Sequence, residues 1–205
     1  GSEDLGNGMK AIFQYEWDTN ASEGGSTSGN PTNRLGYVGL SGGFGTVAIG
    51  RQWTPYYGAV GKTNIMNSTG TAHNEFRKNL NTYRTGNAVA YISPNFNGFS
   101  VVGAAVMDGL AGEDGIDHLQ IALKYDNGPL SVGFGYIDNE AADEDQWGLG
   151  AKYNFGNFAV VASYEDEDVA GVDEQAFGIG GEVYFGNNTV KVLYSDFDEA
   201  NEDAW

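Results

Sequence analysis

The sequence predicts an all-β protein of antiparallel, up-and-down strands, and three observations carry that prediction. Thirty-two glycines disfavour helices, while 12 Tyr and 11 Phe favour strands. Apolar and polar residues alternate with a period of two through most of the chain, as on a strand with one apolar and one wet face. The connections between these stretches alternate short and long, so successive hairpins collect short turns on one rim and long loops on the other. A single domain over 1–205 accommodates the whole pattern.

Composition narrows the function. Cysteine is absent, which excludes a disulfide scaffold and thiol chemistry, and a formal net charge of −18 argues against binding nucleic acid by electrostatics. No run of eighteen apolar residues occurs, which excludes a transmembrane helix but not a transmembrane barrel, whose strands alternate.

The first strand, 9–18, places Met9, Ala11, Phe13, Tyr15 and Trp17 on one face and Lys10, Gln14 and Glu16 on the other. Residues 19–33, rich in Gly, Ser, Thr and Asn, read as a polar loop. Strands 34–41 and 46–53 follow, joined across GGFG as a tight hairpin. The stretch 54–83 has no usable periodicity, and a structureless insert of that length is normally functional or disordered. Further strands are expected over 87–93, 99–108, 117–125, 130–138, 146–155, 158–165, 175–185 and 189–197, which makes eleven.

Strand 146–155 separates two architectures. Trp147, Leu149, Ala151, Tyr153 and Phe155 share one face, opposite Gln146, Gly148, Gly150, Lys152 and Asn154. A soluble sandwich would turn the apolar face inward. The aromatics favour a membrane barrel: Tyr125, Phe155, Phe158 and Phe185 sit beside short turns, where a barrel needs an interfacial girdle. Leu149 and Ile121 are then expected to face lipid and to refuse charge. Gly150 and Gln120 are expected to face a wet lumen and to tolerate substitution.

Charge is distributed unevenly along the chain. Five of the ten Lys and Arg residues, Arg51, Lys62, Arg77, Lys78 and Arg84, fall in or flank the insert, with Glu75 opposing them. These six are the candidate site: a loop over 54–83 folded into the lumen, constricting a water-filled pore. Arg51 shares parity with Val47 and Ile49, so strict alternation sends it outward unless Gly50 hosts a bulge that re-aims it. Nineteen of the 28 carboxylates lie in 113–117, 138–145, 165–174 and 196–203, all read as long-loop rim. They form a solvated acidic surface or, in a sharper reading, bind divalent cations weakly and bridge to lipopolysaccharide.

The stretches SEDLGNGMKAIFQYE, LGYVGLSGGFGTVAIGRQWTPYY and NTYRTGNAVAYISPNFNGFSV resemble the trimeric general-diffusion porins of Gram-negative outer membranes. The resemblance implies a sixteen-stranded barrel in the outer membrane with its third loop folded inward, passive diffusion of small hydrophilic solutes and ions, no cofactor and a homotrimer. SEDLGNG resembles the turn that ends the second strand, which would put two strands before Gly1 and three after Trp205. Arg51 in GRQ and Arg84 in TYR resemble the wall arginines that face the inward loop. The family's loop carries several carboxylates; this one has Glu75 alone.

Other chemistry has little support. Gly133/Gly135, Gly148/Gly150 and Gly178/Gly180 lack the GxGxxG spacing and sit inside alternating strands, where they read as small wall-facing positions. His73 and His118 have no ligand spacing, so no metal is assigned. No nucleophile–base set suggests an enzyme. The alternative to a channel is an acidic, soluble or surface-exposed β-sandwich that binds or adheres through its long loops. For the channel, screening of the outer acids over about 8 Å at physiological salt and the basic insert together imply weak anion preference at high salt, drifting toward cations as salt falls.

Overall fold

The computed structural model describes residues 1–18, 32–66, 83–107, 115–140, 142–169 and 171–198. Twelve antiparallel strands form one sheet in sequence order: β1 (Ser2–Gly6), β2 (Met9–Asp18), β3 (Thr32–Gly42), β4 (Gly45–Trp53), β5 (Arg84–Ile92), β6 (Phe99–Val106), β7 (His118–Asn127), β8 (Leu130–Asn139), β9 (Glu144–Asn154), β10 (Phe158–Val169), β11 (Val172–Phe185) and β12 (Asn188–Asp198). A short helix, α1 (Pro55–Val60), and a 3-10 turn (Gly61–Thr63) follow β4.

The count corrects the eleven strands expected. SEDLG, taken for a turn, is itself a strand that pairs with β2 through Asp4↔Lys10, and the turn is Asn7–Gly8, where both residues have positive φ. Five residues, two of them acidic, are too few to declare a period of two.

The acidic stretches are corrected in the same way. β9 begins at Glu144, β10 runs to Val169 and β11 starts at Val172, so Glu165, Asp166, Glu167, Asp168, Asp173 and Glu174 are paired strand residues rather than loop. Asp and Glu have poor strand propensity, but the propensity scale measures fit to a half-buried surface more than a backbone preference. Here the strands run on past their apolar part.

Alternation holds across the sheet. Phe13, Val38, Ile49, Val89, Ala105 and Leu119 pair directly from β2 to β7 and form one continuous apolar row on the outer face. Ile121, Leu149, Val160, Phe177, Val183 and Val192 carry the same face onward and are all exposed. Along the short-turn rim Phe155 stacks on Phe158 at 4.5 Å, Tyr153 lies 4.5 Å from Phe155, and Phe99 lies 4.4 Å from Tyr125. That is the aromatic girdle expected from sequence. The compact core sits on the other face, where Tyr56, Ala59 and Val60 of α1 pack with Val102, Ala122 and Ile137 of β6, β7 and β8.

Candidate functional site

The site is built where the chain leaves β4 and turns onto the inner face. Thr54 caps α1, its side-chain oxygen accepting from the Tyr57 N–H at 3.1 Å, and Pro55 follows at the first helical position, where its missing N–H costs nothing. The Thr54 N–H donates to the Tyr83 carbonyl at 3.0 Å, which draws the two ends of the 54–83 stretch together.

α1 then lies flat on the wall, and four glycines make that possible. Gly133 of β8 pairs with Gly150 of β9, and Gly135 with Gly148, so the four form a two-by-two pad on the inner face. A Cβ at Gly133 would meet the Ala59 backbone, with Cα at 2.9 Å; one at Gly135 would lie 2.9 Å from the Tyr56 Cα. At Gly148 it would meet the Tyr56 ring, and at Gly150 it would lie 3.0 Å from Thr63 Cγ2. These are the wall-facing small positions expected from sequence, but the space beyond them is not open lumen. Gly150 therefore lacks the room that was expected for a larger side chain.

Polar contacts fasten the segment at three more points. The Tyr56 hydroxyl donates to Glu165 Oε2 at 2.8 Å on β10 and accepts from Gln146 Nε2 at 3.1 Å on β9, with Gln146 and Glu165 fully buried. Lys62 pairs with Asp126 at the end of β7. Lys191 of β12 donates to the Ile65 carbonyl at 2.7 Å and also reaches Glu182 at 3.4 Å, which Lys152 pairs from β9. Residues 54–66 thus touch the wall from β6 to β12.

The predicted site residues divide into three groups. Glu75, Arg77 and Lys78 lie outside the described residues. Lys62 belongs with Asp126 at the short-turn side. Arg51 and Arg84 come together at the other rim, joined by Arg34, which the sequence reading missed, and by Glu16. Gly50 has φ +125°, but β3 pairs with β4 without a break through Gly50 and Arg51. The extra residue in the β4–β5 register lies on β5 between Thr85 and Ala88, so Gly50 does not host the expected bulge and Arg51 keeps the register parity of Ile49. Arg51 Nε donates to the Asn33 carbonyl at 3.1 Å. Arg34 pairs with Glu16. The Arg84 guanidinium lies over the Trp53 ring, 4.1 Å from its centroid; Trp53 stacks on Tyr57 at 4.7 Å, and Tyr57 lies 5.0 Å from Tyr83. The stack thus joins the end of β4 to α1, one step beyond the buried pair Gln52 and Thr85.

Sequence reasoning also missed Tyr56, Gln146, Glu165 and Glu167. A signal for the first was present: Thr-Pro before Tyr56 is a helix start. The buried acids Glu165 and Glu167 share the inner face of β10. On the outward parity of neighbouring strands, Asp138, Asp145, Asp168 and Asp173 are directly paired from β8 to β11, a row of like charges at the long-loop rim. Among the described residues no group of three or more His, Asp or Glu has the geometry to hold a metal ion.

An apolar exterior with an aromatic girdle, a polar inner face and a segment lying on that inner face are the features of a membrane β-barrel wall. The chain belongs to the Gram-negative porin family, whose pattern it matches over residues 1–205. It is 33% identical over 175 residues to outer membrane porin protein 32 of Delftia acidovorans, an alignment covering 76% of this chain and 49% of the relative. It is 36% identical over 104 residues to major outer membrane protein P.IA of Neisseria meningitidis, covering 49% of this chain and 25% of that one. Among solved structures, the anion-selective porin from Comamonas acidovorans superposes with a TM-score of 0.78 at 26% identity, covering 97% of this chain and 67% of that one. The chain spans about half the length of the Delftia relative. The fold is all-β and antiparallel, of the porin type, and the family places the protein in the outer membrane as a β-barrel.

Proposed function

We propose that the complete protein is a passive channel that admits small hydrophilic solutes and ions, and that residues 54–83 form its constriction. One observation carries the reading: α1 lies on a glycine pad on the inner face of the same strands whose outer face is apolar below an acidic rim. Family membership suggests a channel without catalysis. Purified full-length protein should need detergent to stay dispersed and should give stepwise conductance in planar bilayers. Protein that stays monodisperse in plain buffer and leaves bilayers silent would favour the soluble binding reading instead.

The cluster of Arg34, Arg51 and Arg84 against Glu16 supports weak anion preference, and the solved relative bears the name anion-selective. A charge-lined constriction with low-dielectric walls focuses field on a passing ion, while the acidic rim is exposed and screened by salt. Reversal potentials in asymmetric KCl at high salt should lie on the anion side. Cation preference under those conditions would overturn this part of the reading.

Two partners belong to the same proposal. A homotrimer follows from the family resemblance, and cross-linking in mild detergent that traps only monomer would refute it. The row Asp138, Asp145, Asp168 and Asp173 supports attraction of divalent cations and, through them, lipopolysaccharide, because like charges directly opposite repel unless counter-ions screen them. Added magnesium should then raise the melting temperature, and Asp145→Asn with Asp168→Asn should abolish the rise. An equal rise in that variant would exclude the row.

A further inference from the structure

We infer that Trp53, backed by Tyr57, is the positioning residue that keeps Arg84 available to a passing anion by holding its guanidinium on a ring face where a carboxylate would otherwise neutralise it. This rests on the anion-preference reading above and names the device behind it.

Four of the other cations show the contrast, though not Arg51, whose Nε donates to the Asn33 carbonyl instead. Arg34 is paired with Glu16, Lys62 with Asp126, and Lys152 and Lys191 with Glu182. A carboxylate occupies N–H donors and cancels the charge that a passing anion would sense. Among the described residues Arg84 pairs with no carboxylate, and its Nε is buried without an acceptor. What fixes it is Trp53, its directly paired neighbour across β4 and β5, with the guanidinium carbon 4.1 Å from the ring centroid. A ring attracts a cation through its quadrupole, while the N–H donors point outward from the edge of the guanidinium plane. The charge remains, and no carboxylate among the described residues cancels it.

The ring is itself held. Trp53 and Tyr57 stack at 4.7 Å with 18° between planes, and Tyr57 is fixed in α1, which the glycine pad and the Tyr56–Glu165 hydrogen bond seat on the wall. Tyr83, next to Arg84 in sequence, lies 5.0 Å from Tyr57 and accepts from the Thr54 N–H, so the stack and the backbone closure brace each other. Among the described residues, the fixed charges within electrostatic reach of Arg84 are Arg34, Arg51 and Glu16. Three guanidinium groups thus face one carboxylate, which Arg34 already engages. The ligand class is a small monovalent anion, chloride or a short carboxylate, bound in passing.

The test uses the full-length porin in planar bilayers under asymmetric KCl, with Trp53→Leu, Trp53→Phe, Arg84→Gln and the Trp53→Leu, Arg84→Gln double variant. Trp53→Leu should lower the chloride-to-potassium permeability ratio by a factor of about two or more, because the potential of a charge-lined cleft sets the local ion concentration. Arg84→Gln should lower it as far, and the double variant no further. Trp53→Phe keeps a ring face and should retain most of the ratio. A merely structural Trp53 would change conductance or assembly in Trp53→Leu while leaving selectivity intact, and that result overturns the inference. An Arg84→Gln variant with unchanged selectivity overturns the anion reading of the site instead. If Trp53→Leu fails to assemble, Tyr57→Leu removes the backing ring and must shift the ratio in the same direction; no shift there also overturns the inference.

Discussion

On β9 the outward residues Trp147, Leu149 and Tyr153 alternate with Gln146, Gly148, Gly150 and Lys152 on the inner side, one backbone serving two unlike surroundings. Outside, Leu149 and Tyr153 are exposed and make few demands on shape. Inside, buried glutamine, glycines and a half-buried lysine lie next to one another, so polarity is permitted, yet an added methyl group at Gly148 would collide with Tyr56. The outer face is thus constrained in polarity and free in volume. The inner face, where α1 rests, is free in polarity and constrained in volume.

The largest effect should come from breaking the outer rule. Leu149→Arg puts a guanidinium on the outer face midway along β9 and should cost about 2–4 kcal/mol of folding free energy in a bilayer. Denaturant titration of tryptophan fluorescence in lipid would measure it, and a loss below measurement error would show that Leu149 does not face lipid. Breaking the inner rule comes next. Gly148→Val should cost about 1–3 kcal/mol through overpacking, with Gly150→Ser smaller because its nearest neighbour is the terminal methyl of Thr63. Both should also change single-channel conductance, since α1 must shift; unaltered conductance with normal stability would refute the pad.

Two smaller substitutions sharpen the comparison. Tyr56→Phe conserves volume and removes one donor, leaving Glu165 short of a hydrogen bond on the inner face, at a cost of about 1–3 kcal/mol. Because desolvation and not volume is responsible, the double variant Tyr56→Phe, Glu165→Gln should recover part of the loss, and a double variant worse than the sum of its parts would contradict that explanation. Asp126→Asn should have the smallest effect. Its partner Lys62 is 26% exposed and Asp126 itself 47%, so the pair is screened and worth under about 1 kcal/mol. The loss should disappear in high salt, and one that persists there would point to a contact other than charge.

Most strands could be read because alternation is a local signal repeated many times over, and the girdle aromatics gave the direction of the faces. What could not be read had no local period. β1 is five residues long, and the strand ends near Glu165 and Asp173 are written in residues that ordinarily mark loops. The site was legible only in outline. Arg51 and Arg84 stood out by charge and do come together, whereas Lys62 stood out for the same reason and is engaged elsewhere. Arg34 joins them from β3, the hairpin neighbour of β4, and Tyr56 finds Glu165 across 109 residues, a contact that no spacing encodes. Gly133, Gly135, Gly148 and Gly150 were visible as small positions, but what they are small for depends on a six-residue helix whose only advance notice is Thr-Pro.

The fastening of residues 54–66 also has a mechanical side. A tube of hydrogen-bonded strands resists stretching along its ladders, but nothing in the ladders alone keeps its cross-section round. Here one short segment is tied to β7 through Lys62, to β10 through Tyr56 and to β12 through Lys191, strands that are not neighbours in the sheet. It works as an internal strut. Lateral pressure that flattens the wall must also move the strut, so the position of residues 54–66 and the shape of the wall cannot vary independently.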